Sequence, residues 1–263
     1  MCAEDLRTQT LDPADVHVFP TSDALATGAA ECVVTAAAGA VRARGRFVLA
    51  LSGGETPRAL YDKLATSGFV SRVDWPLAEV FWGDERCVPP TDAASNARMA
   101  RESLLDRVPV PAANVHRIRG EDDPAAAAAS YEVQLRAAFH TPAGSPQTVP
   151  GGRFDLVLLG LGANGHTASL FPGTAVLRET ERWVSAVFVP APSAWRVTLT
   201  AEIINAAAEV LFLVSGREKA AILQRVLEGP RVPEVLPAQL IAPTPGRLRW
   251  LVDAEAATMI RRQ

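Results

Sequence analysis

Cysteine is scarce in this chain, and the three present, Cys2, Cys32 and Cys87, form neither a CxxC pair nor a Cys/His ligand spacing. That placement argues against a disulfide framework and a zinc site, and leaves the cysteines as reduced fillers. Lysine is scarcer still: only Lys63 and Lys219 stand among 26 basic residues. No block of basic residues occurs and the formal net charge is -3, so there is no electrostatic footprint for nucleic acid. The longest continuous apolar runs, around 47–51 and 154–161, fall far short of the roughly 20 residues that span a bilayer. The opening Met1-Cys2-Ala3-Glu4-Asp5 carries early acidic residues and leads into no apolar secretory core. A cytoplasmic location without membrane passage is therefore expected.

What is present suits a globular protein: 48% hydrophobic and 21% charged residues in a chain of 263, enough for a substantial core. Strand-like and helix-like segments alternate throughout, without an internal repeat, which predicts one α/β domain over 1–263. Its fold class is an open, mostly parallel, doubly wound sheet with helices on both faces. Strands are expected at 16–20, 47–51, 79–82, 115–118, 154–161 and 209–214, with a last one at 248–252. Extended segments are expected at 183–189 and 196–200, and helices at 24–43, 56–66, 96–105, 123–139, 201–208 and 217–227. Thr56 is placed to cap its helix with Pro57 in the first turn. Residues 141–152, rich in proline and glycine, read as a loop, and 237–241 as a segment near the end of the sheet.

Four strands end in polar or glycine-rich loops: Ser52-Gly53-Gly54, Gly83-Asp84-Glu85-Arg86, Gly162 to His166, and Ser215-Gly216-Arg217-Glu218-Lys219. Carboxyl ends of parallel strands share one edge, so these loops should converge on one crevice. The Ser52-Gly53-Gly54 loop leads into a helix, where bare N–H groups and the positive helix end can receive phosphate oxygens. A turn that merely needs glycine fits the same residues. The loop matches neither G-x-G-x-x-G nor the GK[ST] ending of a nucleotide P-loop. Arg86 and Lys219 offer a guanidinium and a point-charge ammonium for an anion, although Arg86 also fits an ion pair with Asp84 or Glu85. His166 lies just beyond a strand, with Gly160, Gly162 and Gly165 opening the approach to it. An imidazole with an ordinary pKa near ~6.5 accepts a proton at neutral pH and suits activation of water. His17 and His116 lie in expected strands and His140 precedes a loop, so structural roles are favoured for them.

Five segments carry a resemblance: 51–57, 82–90 with Ser95-Asn96, 160–172 (GLGANGHTASLFP), 196–200 (RVTLT) and 215–220 (SGREKA). In this order, over nearly the whole chain, they resemble those of the 6-phosphogluconolactonases. The resemblance implies hydrolysis of 6-phosphoglucono-δ-lactone to 6-phosphogluconate in the oxidative pentose phosphate pathway. It implies no metal, no organic cofactor and no obligate protein partner, only a small sugar phosphate lactone. It also implies a fold shared with glucosamine-6-phosphate deaminases and, more distantly, ribose-5-phosphate isomerase. By carry-over His166 is the general base. Substrate contacts are expected from Ser52, Gly53, Gly54, Asp84, Arg86, Asn164, Gly165, Arg196 and Lys219, with Arg196 alternatively a packing residue.

One departure stands out. The family commonly has aspartate before the Gly-His pair, and this chain has Asn164, which can hydrogen-bond but cannot act as a carboxylate. Two alternatives follow from the same residues. One is a sugar-phosphate deaminase or isomerase, whose pattern has aspartate where Asn164 stands and glutamate where Phe171 stands. The other is a non-catalytic sugar-phosphate sensor.

Overall fold

The computed structural model describes residues 10–11, 15–139, 152–190 and 193–261. Cys2, His140 and nearly all of the expected loop at 141–152 lie outside the described residues. The strands are β1 (Thr10–Leu11), β2 (Asp15–Phe19), β3 (Phe47–Leu51), β4 (Ala78–Trp82), β5 (Asp84–Arg86), β6 (Leu156–Gly160), β7 (Val184–Pro190), β8 (Ser193–Leu199), β9 (Glu209–Val214) and β10 (Arg247–Asp253). The helices are α1 (Ser22–Arg44), α2 (Glu55–Leu64), α3 (Asn96–Ser103), α4 (Pro124–Ala138), α5 (Ala201–Asn205) and α6 (Ala220–Glu228).

Seven strands form the main sheet in the order β1-β2-β10-β9-β6-β3-β4, and every pairing is parallel except that of β1 with β2. Strands buried on both faces need continuous apolar sequence. Accordingly all five residues of β3 and the last five of β9 are buried. Helices cover the sheet on both faces, which is the open α/β architecture that the alternating pattern predicts.

Helix α1 shows how the sequence sets these elements. Thr21 Oγ1 accepts from Ala24 N at 3.1 Å, and Gly45, at φ 74°, closes the other end with its N–H on Val41 O at 2.8 Å. Leu25, Ala26, Ala29, Ala30, Val33, Ala37 and Ala40 are buried at helical spacing. By length and composition alone α1 is apolar enough to cross a membrane, a property that a search for uninterrupted runs overlooks. In this fold it packs on β2, β3, β10 and α2.

Two expected elements differ. Residues 115–118 form only an isolated bridge from Val115 to Val80. Asn114 Nδ2 occupies the carbonyl of Ala78 at 3.0 Å, an acceptor that a longer ladder would use. Conversely, the polar stretch 84–86, expected as a loop, is strand β5, which joins β8 and β7 in a separate antiparallel sheet.

The chain order places the crevice. From β3 the chain passes outward to β4 on one side, and from β6 to β9 on the other, so the neighbours β3 and β6 flank the point where the winding reverses. Connections leave these two strands in opposite directions, and a gap opens beyond their carboxyl ends.

Candidate active site

A cleft of ≈ 560 Å³ occupies that gap, lined among others by Gly53, Gly54, Thr56, Gly160, Gly216 and Lys219. On its β3 side, Tyr61 Oη accepts from Ser52 N at 2.9 Å and donates to Ser52 O at 2.8 Å. The tyrosine thus replaces the sheet partner that β3 loses where the strands part, and it holds Ser52 buried. Gly53 must be glycine, since a Cβ there would meet Asn96 Oδ1 at 1.9 Å. Gly54, at φ 110°, is the N-cap of α2. Helix α2 starts one residue earlier than expected, so Thr56 is not its cap. No side chain caps it, and its first residues, Glu55, Thr56 and Pro57, line the cleft.

On the β9 side, Gly216 turns the chain at φ 100° into a short 3-10 turn, Arg217–Lys219, before α6. The buried Asp253, at the end of β10, accepts from Ser215 Oγ at 2.5 Å, Gly216 N at 3.1 Å and Ala256 N at 2.8 Å. These bonds fix the loop that carries Lys219, whose ammonium makes no hydrogen bond or ion pair among the described residues.

The small sheet brings the other cations. Glu85, 2% exposed, accepts from Arg86 N, Asn96 N and Ala97 N, each at 2.8 Å, and from Ser95 Oγ at 3.0 Å. Burial pushes its carboxyl above the usual range, and these four donors oppose that shift. The carboxylate pins β5 to the start of α3. Asp84, also buried, accepts from Ser169 Oγ at 2.6 Å and from Asn96 Nδ2 at 3.3 Å, and lies 4.0 Å from Arg196 Nη1. Arg86 pairs with neither neighbouring acid; its Nη1 donates to the Ala94 carbonyl. The Nε atoms of Arg86 and Arg196 are buried without a hydrogen-bond partner among the described residues. Arg196 sits 5.4 Å from the Phe171 ring. Burial lowers its guanidinium's pKa, with Asp84 pulling upward and Arg86 downward.

His166 is tied to the cleft wall through Gly162 N on its carbonyl at 2.8 Å and Thr167 Oγ1 on Gly160 O at 2.9 Å. Its ring stacks on Phe171 at 4.0 Å between centroids, and its Nδ1 lies 2.5 Å from Asn164 Oδ1. Burial brings the imidazole down to about 4; Asp84 pulls it upward, and Arg196, Lys219 and Arg86 push it further down. The imidazole is therefore neutral at pH 7. All four charges act on it, so the predicted histidine lies within electrostatic reach of Arg86, Arg196 and Lys219, of which Lys219 lines the cleft itself.

The remaining expected residues are positioned rather than open. The N–H of Gly165 donates to Gly162 O at 3.0 Å, and its carbonyl accepts from Ala238 N at 2.9 Å. His17, in β2, pairs with Asp15, and His116, just after the isolated bridge at Val115, pairs with Glu79 while stacking on Phe81. Tyr61, Ser169, Phe171 and Asp253 were not foreseen as site residues. Ser169 and Phe171 lie in the 160–172 segment, and Asp253 is a carboxylate at the carboxyl end of an apolar strand; Tyr61 carried no signal. No group of three His, Cys, Asp or Glu among the described residues is disposed to hold a metal ion.

Fold and site together define an open α/β enzyme with a crevice at the switch point of its parallel sheet. A family model described as glucosamine-6-phosphate isomerases/6-phosphogluconolactonase matches residues 20–250, and the chain belongs to that family. It is 39% identical to a 6-phosphogluconolactonase of Nostoc sp. over 92% of this chain and 96% of the relative. The solved 6-phosphogluconolactonase from Trypanosoma cruzi superposes with a TM-score of 0.82 at 30% identity, over 97% of this chain and all of that one. A monomeric glucosamine-6-phosphate deaminase gives a TM-score of 0.75 at 21% identity, over 93% and 99% of the two chains, a likeness of fold alone.

Proposed function

We propose that this protein hydrolyses 6-phosphoglucono-δ-lactone to 6-phosphogluconate, the reaction of the oxidative pentose phosphate pathway, with His166 as general base. The observation that carries the reading is the half-buried imidazole, stacked on Phe171 and within electrostatic reach of Arg86, Arg196 and Lys219, beside the switch-point crevice. In this reading Lys219, the two arginines and the N–H groups of the Gly53-Gly54 turn hold the phosphate. That grip uses remote binding energy to orient C1 of the lactone. His166 takes a proton from water as the water oxygen bonds to C1, and the carbonyl becomes an oxyanion that loop N–H groups stabilise. Collapse of the oxyanion breaks the bond from C1 to the ring oxygen, and His166 returns the proton to that oxygen.

The family holds both activities, but the higher identity to relatives named 6-phosphogluconolactonase supports the lactonase over the deaminase, and the site agrees. Asn164 and the Phe171 ring stand beside the histidine where the deaminase pattern has two acids. The test is a direct assay with freshly made lactone, corrected for spontaneous hydrolysis. Turnover is expected, and His166→Ala should lower it by on the order of 100-fold or more. A near-normal rate in that variant removes His166 from the role, and ammonia release from glucosamine 6-phosphate would favour the deaminase.

A further inference from the structure

Asn164 was expected to touch substrate, but its side-chain oxygen is already engaged. Oδ1 lies 2.5 Å from His166 Nδ1 and 3.2 Å from the His166 backbone nitrogen. The backbone contact settles which way the amide faces. A peptide N–H only donates, so an amide nitrogen at that position would set donor against donor. With the oxygen there, the ring nitrogen 2.5 Å away must carry the proton.

We propose that Asn164 is a positioning residue that fixes His166 as its Nδ1-protonated tautomer and so leaves the Nε2 lone pair to take the proton from water. The inference rests on the reading of His166 as the base and names what makes only one of its nitrogens basic. A neutral imidazole divides its single proton between two sites, and a base is useful only when the nitrogen facing water is the bare one. The surroundings supply little else to choose between them. The ring stacks on Phe171 and lies over Gly162, where a Cβ would come within 2.0 Å of it. Asn164 Oδ1 is its only hydrogen-bond partner among the described residues.

An amide also differs from a carboxylate in what it does to the protonated ring. The charged groups acting on His166 are Asp84 and Arg86 from β5, Arg196 from β8 and Lys219 from the turn after β9. Burial opposes the imidazolium most, Asp84 favours it, and the three cations oppose it. Asn164 adds no charge to that balance, whereas aspartate at the same place would stabilise the imidazolium directly.

The test uses protein labelled with 15N in histidine, read by imidazole nitrogen shifts, together with steady-state kinetics of Asn164→Ala and Asn164→Asp. In the unmodified protein at neutral pH, His166 is expected to show a protonated Nδ1 and a bare Nε2. Asn164→Asp keeps the acceptor, so the tautomer should persist while the titration midpoint of His166 rises by a unit or more. Asn164→Ala should give a mixed tautomer and a kcat lowered by about 10-fold, short of the ~100-fold or more that a general base itself supplies. KM and the affinity for 6-phosphogluconate should stay within a few-fold. A proton on Nε2 in the unmodified protein, or an Asn164→Ala variant with unchanged tautomer and kcat, overturns the proposal. So does a loss that falls on KM alone, because it would make Asn164 a substrate contact. Failure of the base assignment is seen separately, as near-normal turnover in His166→Ala.

Discussion

Arg86 and Arg196 stand directly opposite one another in the antiparallel register of β5 and β8, two cations where a sheet ordinarily avoids like charge. Asp84, 4.0 Å from Arg196, offsets part of the repulsion, but neither Nε has a hydrogen-bond partner among the described residues. Such a pair costs stability by itself, and in the proposed function a bound phosphate would relieve it.

Arg86→Met tests that relationship in both directions. Removing one charge-assisted contact, worth about 1.5–3 kcal/mol, should weaken 6-phosphogluconate binding by roughly 10- to 100-fold. The ligand-free variant should melt at the same temperature as the unmodified protein or above it. Inorganic phosphate should raise the melting temperature of the unmodified protein by mass action, and that of the variant less. Unchanged affinity, or a ligand-free variant that melts several degrees lower, would mean that Arg86 serves the fold and not the ligand.

The imidazole gives a prediction in pH. His166 falls to about 4 in the folded protein, chiefly through burial, against an unfolded value near ~6.5. Between these values the unfolded chain binds the proton and the folded one does not. The stability associated with a neutral buried His166 is therefore complete above about pH 6.5 and is lost as pH falls through 4. Denaturant unfolding should show that decline, and His166→Gln should remove its share of it. Nuclear magnetic resonance titration of free enzyme should place the His166 midpoint well below 6.5; an ordinary midpoint would show that the ring is more open to water than its surroundings imply.

The apolar elements were legible because burial on both faces leaves no choice of residue. Strands β3 and β9 run over the residues that the sequence pattern gives, 47–51 and 209–214. Helix α4 opens at Asp123-Pro124 as expected, with the Asp123 carboxylate on Ala125 N and Ala126 N. The meeting of the Gly53-Gly54 turn and the Ser215 to Lys219 loop on one cleft followed from the parallel sheet, whereas 84–86 is held by the small antiparallel sheet. What was not legible depends on partners distant in sequence. β5 is three polar residues that become a strand only because β8 lies beside them, and no local pattern announces it. Tyr61 reads as one more apolar position of α2, yet its hydroxyl closes the open end of β3. Asn164 was noticed as a departure from the family, but the two donors converging on its oxygen appear only once the loop is folded.

Gly162 joins loop geometry to chemistry most directly. A Cβ at this position would lie 2.0 Å from His166 Cε1 and Nδ1, and 2.7 Å from Nε2. No rearrangement short of moving the ring accommodates it, whereas the φ of Gly162 is outside the range that requires glycine. Gly162→Ala should therefore fold, with the imidazole displaced by an ångström or more. A misplacement of that size costs on the order of 100-fold in rate. The loss should appear in kcat, while inorganic phosphate and 6-phosphogluconate, held by Lys219 and the arginines, should bind within a few-fold of normal. A folded Gly162→Ala enzyme with undiminished kcat would show that the ring position is not what the reaction depends on.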